Sequence, residues 1–198
     1  MANFVYLIGC ERSKEAAIVD PGWDAGAIAA AAERSGYRIT KIFATHSHFD
    51  HVNAAAVLQE KTGAALYANE RELPELEKGA GGWRAVLDDE AVMVGEVEVT
   101  CLHTPGHTPG SQCLLVDGRV LTGDTLFIGS IGRCDLPGSS PADLYGSLMR
   151  LKALPPETIV LPGHNYADKP SSTIGEEAQR NMYVRIPSVE AFLHLMGL

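Results

Sequence analysis

Four apolar runs in this chain each lead within a few residues to a histidine or an aspartate, and this repeated arrangement restricts the fold more than any other feature. The runs have the length and composition of short β-strands, and Gly and Pro fix the backbone after the last three. A side chain at the end of such a unit is held in a defined direction, as a preorganised metal site requires. The four runs are residues 39–44, 97–102, 120–122 and 159–161.

Strand and helix patterns alternate along both halves of the chain, which predicts an α/β protein with two sheets covered by outer helices. The predicted strands are residues 4–8, 15–20, 39–44, 64–68, 92–102 with a turn at Gly95, 112–116, 119–121 and 158–161. The predicted helices are residues 25–34, 52–62, 70–78, 141–151, 175–182 and 188–196. Without an internal repeat or a low-complexity linker, we expect one domain over residues 1–198.

The densest group of metal-binding side chains follows the first of these runs. His46, His48, Asp50 and His51 fall within six residues and include three of the seven histidines in the chain. Imidazole and carboxylate together suit zinc, iron or manganese. Alternate residues of an extended segment share a face, so His46 and His48 can bind one ion while Asp50 and His51 reach a neighbouring one.

The three later runs supply the remaining candidates. A lone histidine after a strand is more often a surface residue than a ligand, and an aspartate after glycine is usually a turn residue. The cluster at residues 46–51 favours a ligand role for these residues instead, because a metal site of this type needs further ligands. Either His103 or His107 could be the ligand that follows the run at 97–102. Asp124 follows the run at 120–122, and His164 follows the run at 159–161. His194, in the last apolar helix, is interpreted as structural.

Four motifs together resemble the signature of the metallo-β-lactamase-fold superfamily over nearly the whole chain. They are His46-Ser47-His48-Phe49-Asp50-His51, Pro105-Gly106-His107-Thr108, Gly123-Asp124 and Pro162-Gly163-His164. The resemblance implies a four-layer αββα sandwich of two mixed β-sheets flanked by helices, with the metals at one edge between the sheets. It also implies that His107 is the ligand and that His103 is a nearby non-ligand.

The resemblance also implies which residue binds which metal. His46, His48 and His107 would bind the first metal; Asp50, His51 and His164 would bind the second; Asp124 would bridge the two. Asp20, at the end of the second predicted strand, resembles a supporting carboxylate, with a simple turn cap as the alternative.

Within the superfamily the chain resembles glyoxalase II-type thioester hydrolases and persulfide dioxygenases, through residues 125–133 and 163–166. This resemblance implies that Arg133 binds a substrate carboxylate, which a guanidinium matches with two parallel hydrogen bonds, and that Tyr166 donates a hydrogen bond. The alternatives are a surface ion pair for Arg133 and a core-edge tyrosine for Tyr166. Glyoxalase II enzymes usually carry a further helical domain that binds glutathione, and we expect those contacts to be absent or replaced here.

Three functions are consistent with these residues. The favoured one is a hydrolase of thioesters or related acyl esters with two divalent ions, zinc first and iron or manganese as alternatives. In this hydrolase a metal-bound hydroxide attacks the carbonyl carbon of the substrate, and Asp50 orients the hydroxide. The second is a sulfur dioxygenase with a single iron on His46, His107 and Asp124. The third is a nuclease or a non-catalytic metal-binding module.

Composition narrows the partners. The net charge of −9 disfavours nucleic acid and anionic membranes, and no apolar run approaches the roughly 20 residues of a membrane span. Four widely spaced cysteines and the lack of a signal peptide favour the cytoplasm. We therefore expect a small anionic thiol-derived substrate, no nucleic acid or membrane partner, and a monomer or homodimer.

Overall fold

The computed structural model describes residues 2–198, and over that range the strands form two mixed sheets and one short hairpin. The first sheet has the order β1-β2-β3-β4-β5, with β1 antiparallel to β2 and the other pairs parallel. Its strands are β1 (Tyr6–Gly9), β2 (Glu15–Val19), β3 (Arg38–Phe43), β4 (Ala65–Asn69) and β5 (Trp83–Val86).

The second sheet has the order β13-β12-β9-β8-β7-β6, and β9 and β12 are its parallel pair. Its strands are β6 (Glu90–Val94), β7 (Val97–His103), β8 (Gln112–Val116), β9 (Arg119–Gly123), β12 (Ile159–Pro162) and β13 (Ser172–Thr173). The hairpin of β10 (Leu126–Phe127) and β11 (Ser130–Ile131) follows β9.

Helices cover the outer face of each sheet. They are α1 (Ala25–Arg34), α2 (Phe49–Val52), α3 (Ala55–Thr62), α4 (Leu73–Leu76) after a 3₁₀ turn at Glu70–Glu72, α5 (Pro141–Lys152), α6 (Ile174–Arg180) and α7 (Val189–Leu195). Asp24 and Ser140 cap α1 and α5 through their side chains, which satisfies free N–H groups at those helix starts. Among the described helices, none combines the length and the apolar character needed to cross a lipid bilayer.

Three separate hydrophobic clusters show that the layers are stacked α, β, β, α. Alternate residues of one strand enter different clusters, because successive side chains point to opposite faces of a sheet. Ile42 packs under α1 and α3 while its neighbour Phe43 packs between the sheets. In the second sheet Val120 packs against α5 while Leu121 faces the first sheet. The predicted αββα architecture is therefore confirmed.

The structure differs from the predicted helix at residues 52–62. Helix α2 is one turn that ends at Val52, and a separate helix begins at Ala55. Between them Ala54 N–H donates to the carbonyl of Pro21 at 3.0 Å, and the Asn53 side chain accepts from the backbone N–H of Trp23. These contacts from a distant loop redirect the chain, and local periodicity does not reveal them.

Candidate metal centre

Four strand ends meet at one edge of the sandwich and present the predicted ligands. β3 leads to His46, β7 to the loop that carries His107, β9 directly to Asp124, and β12 to His164. Asp124 and His164 lie at the same edge because β9 and β12 run parallel and end together, and the chain reaches that edge at His46 from β3 of the other sheet and at His107 from β7. The sequence spacing and the topology therefore place these four side chains in a common region.

Two glycines permit the close approach of these strand ends. Gly123 has a φ of +47°, and a Cβ atom there would lie 2.5 Å from Thr45 Oγ1. Its carbonyl accepts a hydrogen bond from Gly163 N–H at 2.9 Å, and a Cβ atom on Gly163 would lie 2.7 Å from Asp124 Oδ1. A larger residue at either position would separate the loops, so packing requires glycine at both, and the left-handed conformation requires it at Gly123 as well.

The first donor group consists of three ring nitrogens. His48 Nδ1 lies 3.1 Å from His46 Nε2 and 2.9 Å from His107 Nε2. Burial first, and then the neighbouring imidazoles, lower the pKa of His46 and of His48. Both rings are therefore held in the neutral form, which is the form that binds a metal.

Oxygen acceptors on the outer side fix the orientation of three of the rings. His46 Nδ1 donates to Thr45 Oγ1 at 3.1 Å, His51 Nδ1 to Asp20 Oδ2 at 3.0 Å, and His107 Nδ1 to the carbonyl of Arg133 at 2.7 Å. In the neutral, metal-binding form of these rings the single N–H would lie on Nδ1, so Nε2 would offer its lone pair to the centre. Asp20, with a φ of +52°, also accepts from Thr45 N–H and Oγ1–H, each at 2.7 Å.

The second donor group lies next to the first and shares Asp124 with it. His51 Nε2 is 3.2 Å from His164 Nε2, and Asp50 Oδ2 is 3.7 and 3.6 Å from those two atoms. Asp124 Oδ1 is 3.4 Å from His51 Nε2, while its Oδ2 is 3.3 Å from His164 Nε2 and 3.6 Å from His107 Nε2. Asp124 therefore lies between the two groups.

The charge balance and the unpaired atoms of this region fit a bound cation. Within residues 2–198, Asp124 Oδ1 is buried and accepts no hydrogen bond. Burial alone lowers the pKa of His51, but the charge and hydrogen bond of Asp20, with Asp124 and Asp50, outweigh it and raise that pKa to about 9. The site thus favours added positive charge, and a nitrogen and carboxylate donor set of this kind fits zinc, iron or manganese.

Sequence reasoning did not identify Glu72, which joins the loops that carry the first donor group. Its side chain is buried, and Oε2 accepts from the backbone N–H of Ser47 at 2.8 Å, beside His48. Oε1 accepts from Thr108 Oγ1 at 2.7 Å and from Gly110 N–H at 2.8 Å. The buried carboxylate of Glu72 is the signal for this role, and only the fold supplies its partners.

Asn3 is a second residue that the sequence did not reveal. Its side-chain amide donates to Asp50 Oδ2 at 2.8 Å and to the Asp50 carbonyl at 3.2 Å. The neighbouring backbone pairs with the His164 loop, since Phe4 N–H donates to the carbonyl of Gly163 at 2.9 Å. The N-terminal segment therefore positions a side chain against Asp50.

Arg133 and Tyr166 both line a cavity of about 390 Å³ that also contains His48 and Asp124. The guanidinium of Arg133 is exposed and donates to both carboxylate oxygens of Asp135, at 2.9 and 3.0 Å. Tyr166 is 61% exposed and its ring stacks on His164, with centroids 4.7 Å apart. The side chain of Arg133 thus lies at the cavity with its charge already paired.

The structure separates the two histidines that the spacing left open. His107 belongs to a donor group, whereas His103 Nε2 contacts the carbonyl of Pro109 at 3.0 Å. His103 and His194 are absent from every donor group found among the described residues. The donor groups within that part of the chain are His46–His48–His107, His46–His51–Asp124 and Asp50–His51–His164.

A family model and a solved structure both match this chain over most of its length. A family model described as the metallo-beta-lactamase superfamily matches residues 1–164. The solved structure of ETHE1 from Myxococcus xanthus is 33% identical, with a TM-score of 0.91, and the match covers 99% of this chain and 85% of that one.

Two sequence relatives extend the comparison. The probable polyketide biosynthesis zinc-dependent hydrolase PksB of Bacillus subtilis (strain 168) is 31% identical over 192 residues, or 96% of this chain and 85% of PksB. The hydroxyacylglutathione hydrolase of Rhodospirillum rubrum is 33% identical over 169 residues, which cover 83% of this chain and 62% of that enzyme. By its motifs, its fold and these similarities, the chain belongs to the metallo-β-lactamase superfamily.

Proposed function

We propose that the protein is a metal-dependent hydrolase that cleaves a thioester, of the hydroxyacylglutathione kind, or a related acyl ester. The observation that carries the proposal is the position of Asp124 between two complete donor groups. In that arrangement His46, His48 and His107 would hold one divalent metal, and Asp50, His51 and His164 a second. Similarity to PksB, described as a probable zinc-dependent hydrolase, and to a hydroxyacylglutathione hydrolase supports zinc and a thioester.

The reaction adds water across the bond between the carbonyl carbon and sulfur and releases a carboxylic acid and a thiol. Divalent metals lower the pKa of water from 15.7 to about 7 and polarise a carbonyl. Asp50 Oδ2, which faces His51 and His164, would accept a hydrogen bond from the attacking water and fix its direction. Asn3 would hold that carboxylate in place.

The substrate would bind at the cavity side where Arg133 and Tyr166 lie. Arg133 would exchange Asp135 for a carboxylate of an anionic, thiol-derived substrate, since both offer the same bidentate geometry. Burial first, and then the charges of Asp124 and Asp50, raise the pKa of Tyr166, so its hydroxyl remains a donor. We place this activity in the cytoplasm, which four buried cysteines without disulfides support.

A second candidate function is the sulfur dioxygenase with a single iron. It is supported by the pairwise proximity of two histidines and one carboxylate: the rings of His46 and His107 have centroids 4.9 Å apart, His107 Nε2 is 3.6 Å from Asp124 Oδ2, and His46 shares a donor group with Asp124. Under this proposal the second donor group would contribute to the electrostatics of the site without holding a metal.

Purified protein distinguishes the two functions when metal content is measured alongside two assays. The hydrolase proposal expects zinc-supported release of free thiol from lactoylglutathione without oxygen uptake. The dioxygenase proposal expects iron-dependent oxygen uptake with glutathione persulfide. Oxygen uptake in the absence of any thioester cleavage would overturn the hydrolase assignment.

A further inference from the structure

An apolar groove lies beside the metal centre, separate from the cavity at Arg133. It encloses about 280 Å³ between α2, α3 and α4, and its apolar walls come from Phe49, Val52, Ala56, Leu76, Ala80 and Trp83. At about 30 Å³ for each water-sized group, the groove holds roughly nine such groups. The volume of the groove thus accommodates a flexible chain of medium length.

The groove adjoins the metal centre through shared wall residues. Ser47 and Phe49 line it and lie on either side of His48 in the sequence. A wider cavity of about 500 Å³ shares Ser47, Phe49 and Glu75 with the groove and is also lined by His48. The groove, the cavity and His48 are thus neighbours, which places the groove beside the donor groups.

Two exposed aromatic side chains stand at this side of the centre. Phe49 is 70% exposed and Trp23 is 54% exposed, and their rings pack edge to face with centroids 6.2 Å apart. Trp23 has a φ of +70°, and its indole N–H donates to Asn3 Oδ1 at 3.4 Å. A bulky residue in this conformation is strained, and such strain concentrates at ligand-binding sites.

The two sides of the centre differ in chemistry. The cavity at Arg133 and Tyr166 offers a cation and a hydroxyl, whereas the groove at Phe49 offers apolar surface. A thioester has the same division when its thiol carrier is anionic and its acyl group is a hydrocarbon. The scissile carbonyl of such a substrate would lie between the two sides, at the donor groups.

We propose that this groove is the acyl subsite, and that the substrates are thioesters of medium-length, unbranched apolar acids. The proposal rests on the hydrolase function above and names the acyl half of its substrate. Each methylene removed from water in the groove increases kcat/KM about threefold to fourfold, until the groove is full.

A substitution that fills the groove from an exposed position of α3 tests the proposal. Ala56→Phe places a ring at the groove, and Val57→Phe is the matched control, because Val57 is the next residue of α3, is 47% exposed and does not line the groove. With butanoyl, hexanoyl and octanoyl thioesters of glutathione, kcat/KM should rise with length in the unmodified chain and in the control. In Ala56→Phe it should be independent of length.

Binding without turnover separates this proposal from the hydrolase assignment. The chain has two tryptophans: Trp83 lines the groove, and Trp23 packs against Phe49, which also lines it, so their fluorescence should respond to its occupancy. S-methyl, S-butyl and S-octyl glutathione are not cleaved, and their Kd should fall with length except in Ala56→Phe. That result without cleavage of any thioester would retain the subsite and overturn the hydrolase. Cleavage at one rate for all lengths, with one Kd for all probes, would overturn the subsite alone.

Discussion

At the scale of single residues, the centre depends on side chains that fix the donors from outside. Asp20, Thr45 and the carbonyl of Arg133 hold the Nδ1 atoms of three histidines, so the opposite nitrogens face inward. Loss of such supporting hydrogen bonds typically lowers metal affinity or activity 10- to 100-fold. Preorganisation of this centre is therefore distributed over more residues than its seven donors.

Glu72→Gln tests whether the buried carboxylate joins the ligand loops. An amide nitrogen in place of one carboxylate oxygen would face a backbone or hydroxyl donor and leave it unsatisfied. We expect the free energy of unfolding to fall by about 1–3 kcal/mol and zinc affinity to fall with it. Urea denaturation and zinc titration measure both. Glu70→Gln, at an exposed position of the same turn, is the control, and equal behaviour of the two variants would contradict the role.

Arg133 and Asp135 give a paired prediction about substrate binding. Arg133→Ala should raise KM for an anionic thioester with little change in kcat, because it removes a contact made equally in the ground and transition states. Asp135→Asn should lower KM, because it releases the guanidinium from its bidentate partner. Steady-state kinetics on both variants checks the pair, and identical KM values in all three proteins would remove Arg133 from the binding role.

At the scale of elements, the strands that lead to the donor residues were predicted better than the helices and the short strands. Each of the four runs forms a strand, and the turn at Gly95 separates β6 from β7 as expected. The predicted helix at residues 70–78 became a 3₁₀ turn and the short α4, with Pro74 at its start. Strands β5, β10, β11 and β13 were missed; the last three have only two residues each, which is too short to show a period.

In the site, too, features set by neighbouring residues were predicted and contacts between residues far apart in the sequence were not. Ligand types and spacing are local, and the seven residues that the sequence proposed as ligands are brought together in the structure. The contacts of Asn3 with Asp50 and of Glu72 with Ser47 span 47 and 25 positions. Such contacts depend on how the sheets pack, so they could not be predicted from the sequence alone.

Arg150 connects α5 to the loop between β5 and β6 and gives a prediction about pH. It donates to Asp88 and Asp89 at 2.6 Å each and to the carbonyl of His103 at 2.9 Å. Burial opposes ionisation of Asp88, but the His103 N–H and Arg150 outweigh burial and lower its pKa. The contribution of Asp88 to stability is therefore present above its unfolded pKa of about 3.9 and is lost as the pH falls through the lower folded pKa.

Arg150→Met measures that contribution. At pH 7 the variant should be less stable by about 1 kcal/mol, a small value because solvent screens these largely exposed carboxylates. The difference in unfolding free energy should narrow below about pH 4 and keep a remainder from the His103 carbonyl. Urea denaturation at both pH values tests this, and a difference that does not change with pH would contradict the electrostatic explanation.

At the scale of the whole molecule, metal binding and folding are coupled. The donors come from both sheets, so ions at the centre would connect the two halves of the sandwich. A metal at 100 times its Kd stabilises the folded state by about 2.7 kcal/mol per site. For a chain of this size that raises Tm by roughly 5–10 °C. Calorimetry with zinc and with a chelator measures the shift, and His48→Ala should reduce it; no shift in either protein would contradict the coupling.

The two-metal hydrolase is tested most directly by the number of metal ions bound per chain, measured by elemental analysis while thioesterase activity is followed. We expect two equivalents in the unmodified protein, with full activity only when the second is bound, and about one in His164→Ala, with most activity lost. Full thioesterase activity with one equivalent or none, or a His164→Ala variant that retains both metals, would contradict it.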